Sequence, residues 1–458
     1  MNFMRKYFLM FIILGTITEG FGQDKKETLK LSLPDAQAFA LQNNRTIRSS
    51  KIDIQHAEKQ VWENLATGLP QFSVAANYLH QFVVPEISFG SYLDVNVLPD
   101  GVLNKSDIVN AYKNSPSFPL GIRNNTTIDF TVSQLIFSGE YLVGLQATKV
   151  VKEMTEKSLE KTEKETKESV AGTYHLILVL GENERVLSKS LKSVDKTYNE
   201  LVKMNEQGLN EETDVDQVKI SKSNIQTLIT SIESQKQISV KLLKYQLGLG
   251  FDQDIELTDS LPGLIEQGKM QYLTSTAFDI NNSVDYQLVN YQEKISALML
   301  KREKSKYLPT ISAFYRHEEQ TNMPAFNFAV KDVVGASLSI PIFTSGMRNA
   351  RVSEAKFDLA KSDLAKENAE QGLIMEFETA KSTYQTAYSN FITNKESMDL
   401  SHKVYDKTVI KYKEGVSSSF ELTQNQNQFL TAESNYYNSV LALLNAKAKL
   451  DRILSSSK

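Results

Sequence analysis

The clearest pattern in the chain is an apolar position recurring three and four residues apart over long stretches free of proline. In the second half these positions are Phe377, Ala380, Tyr384, Ala387, Phe391, Met398, Tyr405 and Tyr412, with Asn394, Ser401 and Thr408 completing a seven-residue repeat. In the first half the same register is held by Val170, Thr173, Ile177, Leu180, Glu184, Leu187, Leu191, Val194, Tyr198 and Leu201. These stretches lie between paired glycines, Gly139 to Gly208 and Gly346 to Gly415. At 1.5 Å per residue each predicts a helix of roughly 100 Å. Four shorter helices are predicted beside them. They run from about Leu33 to Ala66, opened by Ser32 with Asp35 three residues on, from Glu212 to about Leu247, from about Ser275 to Tyr307, and from Ser418 to about Leu454.

After two Leu-Pro pairs the period changes to two. Phe72, Val74, Ala76 and Tyr78 alternate with Ser73, Ala75 and Asn77, and Ile128, Phe130 and Val132 with Thr127, Asp129 and Thr131. Ala336, Leu338, Ile340 and Ile342 alternate with Gly335, Ser337 and Ser339, whereas Ile311, Ala313 and Tyr315 are interrupted by Phe314. The residues from Leu79 to Asn124 are expected to form one large loop. Faces of this kind suit a lipid-facing barrel or a half-buried soluble sheet. Four strands cannot close a barrel alone, so copies of the chain are the simplest source of further strands.

The landmarks repeat. The differences 346 − 139 and 415 − 208 are both 207, and Leu69-Pro70 recurs as Leu308-Pro309 at an offset of 239, leaving about 32 extra residues in the first half. Asn43-Asn44 and Asn281-Asn282 precede the two Leu-Pro pairs. The expected organisation is a leader over 1–22, a first repeat over 23–249, a linker over 250–274 and a second repeat over 275–458. The leader is read from Arg5 and Lys6, the apolar run Tyr7 to Ile17, and small residues at Gly20 and Gly22.

Composition narrows the classes. With 41% hydrophobic and 23% charged residues, the 458-residue chain is no bundle of membrane helices. A formal net charge of −4 gives no footprint for nucleic acid. The absence of cysteine excludes disulfides, thiolate chemistry and an acylated lipoprotein anchor. The five histidines lack ligand spacing, the run Lys152 to Glu168 reads as a solvated helix face, and no catalytic, metal or cofactor site stands out.

Two repeats, each of a helix ending in Leu-Pro, a β-hairpin, a very long helix, a glycine turn and a returning helix, resemble the TolC-like outer-membrane factor (outer membrane efflux protein) family. The resemblance covers nearly the whole chain after the leader. It implies a mixed fold: a coiled-coil α-helical barrel continuous with a transmembrane β-barrel, with four strands per chain closed by a homotrimer. It also implies an outer-membrane location extending into the periplasm, contact with outer-membrane lipid, and a passive exit duct for efflux or type I secretion. A periplasmic adaptor (membrane fusion) protein and an inner-membrane transporter would open it. By the resemblance, Gly208, Leu209, Thr213, Asp214 and Val215 form the first adaptor-binding tip, and Gly415, Val416, Phe420 and Leu422 the second. Tyr412, Ser417, Glu421 and Gln424 fall at the aperture. Glu421 matches an acidic position of the family, while Gln424 replaces a second acid and Ser417 an arginine. The rival reading is a periplasmic coiled-coil scaffold with a soluble sheet.

Overall fold

The computed structural model describes residues 28–88, 110, 117–268, 278–323 and 330–455. The leader over 1–22, most of the loop over 89–116 and the expected helix start at Ser275 lie outside the described residues. The chain divides into two compact units. The first gathers residues 1–44, 166–271 and 384–448, and the second 45–165, 272–383 and 449–458.

Among the described residues the α-helices are α1 (Leu33–Asn43), α2 (Arg45–Ala66), α3 (Gly139–Glu206), α4 (Glu212–Leu247), α5 (Leu261–Gly268), α6 (Val284–Ser305), α7 (Met347–Lys413) and α8 (Ser419–Leu454). The two long ones have 68 and 67 residues, and many of their heptad positions are buried. Val170, Ile177, Leu187, Val194 and Leu201 are buried on α3, and Phe377, Tyr384, Phe391 and Tyr405 on α7. Ser401 and Thr408 are buried too, because each turns its hydroxyl back to a carbonyl of the preceding turn.

In the first unit the strand β1 (Leu29–Leu31) pairs in parallel with β6 (Ile255–Leu257). The segment expected to be a plain linker therefore contains a strand and the helix α5. Tyr174 anchors it: its hydroxyl donates to Leu31 O at 3.0 Å, and Asp259 N donates to that hydroxyl at 3.3 Å. Ser32 and Asp35 form a full capping box at the start of α1. The helix expected from Leu33 to Ala66 is broken at Asn44, which has ψ 132° and whose side chain donates to Gln246 O at 2.6 Å.

The second unit holds an antiparallel sheet in the order β2 (Gln71–His80), β5 (Asn124–Ser138), β7 (Thr310–Gln320), β8 (Asp332–Ser339). A small hairpin, β3 (Glu86–Ser88) with β4 (Ser117–Pro119), stands within the segment expected to be one loop. The register puts Phe72 opposite Val132 and Val74 opposite Phe130, then Val132 opposite Tyr315 and Tyr315 opposite Val334. One face is therefore largely apolar. Ser73, Thr131 and Arg316 share the other face. An irregularity between Leu135 and Phe137 sets Phe137 opposite Ile311.

Two strand expectations need correction. The last strand ends at Ser339 rather than Ile342, where Pro341 could not donate to a ladder. Phe314 does not disturb its strand: its ring lies across Gly335 on the more polar face, where a Cβ would come within 2.6 Å of Phe314 Cζ. The ring fills the space the glycine leaves, an aromatic cover for a backbone gap. The charged run on α3 is also more than a solvated face. Lys152 reaches Glu58 on α2 at 2.9 Å and Lys161 reaches Asp285 on α6 at 2.6 Å. Among the described residues no helix is long and apolar enough to cross a membrane.

Candidate partner-docking tips and aperture

Helix α3 ends where Gly208 takes φ 71°, and α7 ends where Gly415 takes φ 73°. Both turns close with the same pair of hydrogen bonds. Gly208 N donates to Asn205 O at 2.9 Å and Leu209 N to Met204 O at 2.9 Å, while Gly415 N donates to Tyr412 O at 3.0 Å and Val416 N to Lys411 O at 2.9 Å. This is the Schellman arrangement, in which the residue after the glycine usually folds its side chain back onto the helix. Here that does not happen. Leu209 is 65% and Val416 76% exposed, and Phe420 beside the second turn is 66% exposed. Each tip thus presents apolar side chains to solvent.

Below the turns the first tip is locked by its own side chains. Asn205 Nδ2 donates to Asn210 O at 3.0 Å, and Asn210 Nδ2 to Leu201 O at 3.3 Å. Thr213 Oγ1 bonds Glu211 at 3.1 Å, and Asp214 N donates to Glu211 O at 3.1 Å. Val215 packs against the cluster of Leu187, Val194, Leu201, Val218 and Ile225. Leu422 is buried with Tyr405 and Phe429, so it supports the second tip from inside.

The structure brings the two tips together. Ser419 Oγ bonds Asp214 and donates to Gln217 Oε1 at 3.0 Å. Deeper, Ser221 Oγ donates to Gln426 Oε1 at 2.7 Å and Asn425 Nδ2 to Thr408 Oγ1 at 2.9 Å. Tyr412 packs against both clusters, and burial, with Asp214 nearby, pushes its hydroxyl up to about 12. A cleft of 550 Å³ runs between the tips, lined by Leu201, Met204, Asp214, Tyr412, Lys413 and Ser417. At the positions expected to line the aperture, Ser417 Oγ donates to Glu421 Oε2 at 2.6 Å, and Ser418 Oγ accepts from Glu421 N at 3.2 Å. Glu421 and Gln424 are exposed. Ser419, Gln217, Ser221 and Gln426 are partners that sequence reasoning missed. Their only signal is a polar residue at a buried position, visible once the stripe of α8 is known.

The description "Outer membrane efflux protein" fits residues 301–456, from the end of α6 to the end of α8. That match covers about a third of the chain. The family is one of outer-membrane proteins, in agreement with the location read from the sequence. No curated protein matches the chain. Solved structures similar to this chain in fold include VceC from Vibrio cholerae (TM-score 0.69, 14% identity, 93% of this chain and 96% of that one). CusC is similar with TM-score 0.73 at 13% identity, over 96% of both chains. The CmeC outer membrane channel of Campylobacter jejuni has TM-score 0.70 at 15% identity, over 92% of this chain and 85% of that one. The resemblance to TolC-like channels read from the sequence is thus borne out.

Proposed function

We propose that the chain is the outer-membrane exit duct of a tripartite efflux or type I secretion machine, with no chemistry of its own. The observation that carries this reading is the four-stranded sheet. Its apolar face is open to the surroundings, with Phe72 67% and Val334 81% exposed, and its edge strands are β2 and β8. A water-soluble protein leaves few apolar patches of that extent uncovered, and a sheet with free edges calls for strands from elsewhere. Three copies joined edge to edge supply twelve strands, lipid covers the apolar face, and the more polar face lines the passage.

The repeats over 23–249 and 275–458, joined through 250–274, then give each copy two tips. Leu209, Val416 and Phe420 are the apolar contacts offered to a periplasmic adaptor protein. Thr213, Asp214 and Val215 shape the first tip. Docking of the adaptor and its inner-membrane transporter opens the aperture, where three copies of Glu421 form a carboxylate ring that favours cations. Ser417 holds each carboxylate, and the Tyr412 and Gln424 positions flank it.

The test is photo-crosslinking in cells from a probe at Ser418, beside the second tip. The duct reading expects adducts with a membrane-anchored adaptor. Adducts with soluble periplasmic proteins alone, while probes elsewhere on the chain work, would favour the scaffold.

A further inference from the structure

The stripe that α8 buries carries a polar side chain every seven residues: Ser419, Gln426 and Glu433. The first two meet partners on α4. Glu433 breaks the series. It is 2% exposed, and its Oε2 is buried without a hydrogen-bond partner. Burial, and then the like charge of Glu182 on α3, push its carboxyl up to about 7. Glu182 itself is bonded by Arg185, whose Nε donates at 2.9 Å. The other groups around the site are Tyr436 and Tyr437 on α8, both raised chiefly by burial, and Asp399 on α7, which acts on Tyr436. Lys236 on α4 is paired with Glu184 at 2.8 Å. A cleft of 520 Å³ lined by Gly181, Glu182, Arg185 and Lys236 opens on the Glu182 side.

We propose that Glu433 is a proton-operated latch on the second returning helix: neutral, it lets α8 close on α3; ionised, it and Glu182 push the two helices apart. A buried carboxylate with no cation of its own costs far more than the neutral acid, and an adjacent carboxylate adds to that cost. Because the folded protein holds this proton more tightly than an exposed glutamate does, the contact is firmest at low pH. It weakens as pH climbs from the ordinary glutamate range towards 7, and is unchanged above that. Fourteen residues, roughly 21 Å of helix, separate Glu433 from Ser419, so a loosened α8 reaches the tips. The consequence for opening rests on the duct reading; the latch itself does not.

The experiment uses the purified full chain in detergent. Amide hydrogen exchange of residues 426–440 is followed at about pH 5.5 and about pH 8.5, corrected for the intrinsic pH dependence of exchange. The wild type is expected to exchange about tenfold faster or more at the higher pH, with a midpoint near 7. Glu433→Gln should remain protected at both, and Glu182→Gln should lower the midpoint. Infrared spectra give a second readout: a protonated carboxyl band that is present in acid, lost above the midpoint and absent from Glu433→Gln. Equal protection of the wild type at both pH values would overturn the latch. So would a pH dependence that survives in Glu433→Gln. Either failure leaves the duct reading standing, since no adaptor or membrane enters the measurement.

Discussion

Gly208 and Gly415 show how a single backbone angle can define the end of a long helix. A Cβ added at either would meet open space, so crowding does not account for the glycine. Their φ values of 71° and 73° do, because an L side chain there costs about 1–2 kcal/mol. Gly208→Ala and Gly415→Ala are therefore expected to speed amide exchange in residues 204–210 and 411–417 by about fivefold to thirtyfold, with the helices otherwise intact. Unchanged exchange would show that the turns tolerate a side chain. These glycines were legible in the sequence through their equal offsets. The bonds from Ser419 to Asp214 and from Ser221 to Gln426 were not, because partners 205 residues apart leave no local pattern.

At the level of elements, the heptads were the most readable feature. An apolar seam sustained over ten turns imposes one period, and tertiary packing cannot override it cheaply. Phe391 sits at its centre, 1% exposed, with its ring 6.0 Å from that of Tyr436. Phe391→Ala should destabilise this packing by about 3–5 kcal/mol. Ser401→Ala, which removes only a bond to the helix's own backbone, should be nearly neutral. Proteolytic susceptibility of α7 measured on both variants checks the contrast, and equal effects would contradict the seam. Short elements were the ones missed. A three-residue strand such as β1 or β6 has too few positions to show alternation. The break at Asn44 is set by a bond to Gln246, 202 residues away. The ion pairs of Lys152 and Lys161 were hidden because a charge on a helix face looks the same whether it meets water or another helix.

For the whole molecule, the sheet is where the two readings differ. The helices alone suit either a duct or a scaffold, and the tips alone could be ordinary helix ends. A largely apolar sheet face bounded by edge strands β2 and β8 asks for lipid on its surface and other copies at its sides. Because the chain has no cysteine, engineered ones report without background. Substitutions along β2 (Ser73→Cys, Ala75→Cys, Asn77→Cys) would be combined with ones along β8 (Val333→Cys, Ser337→Cys), all on the face opposite Phe72 and Val334. Within one copy these strands are the opposite edges of the sheet, so a bond between them reports a neighbouring copy. If the chain is a trimeric duct, at least one pairing should yield disulfide-linked species in outer membranes that stop at three copies. Monomers in every pairing, or a ladder running beyond three, would contradict it.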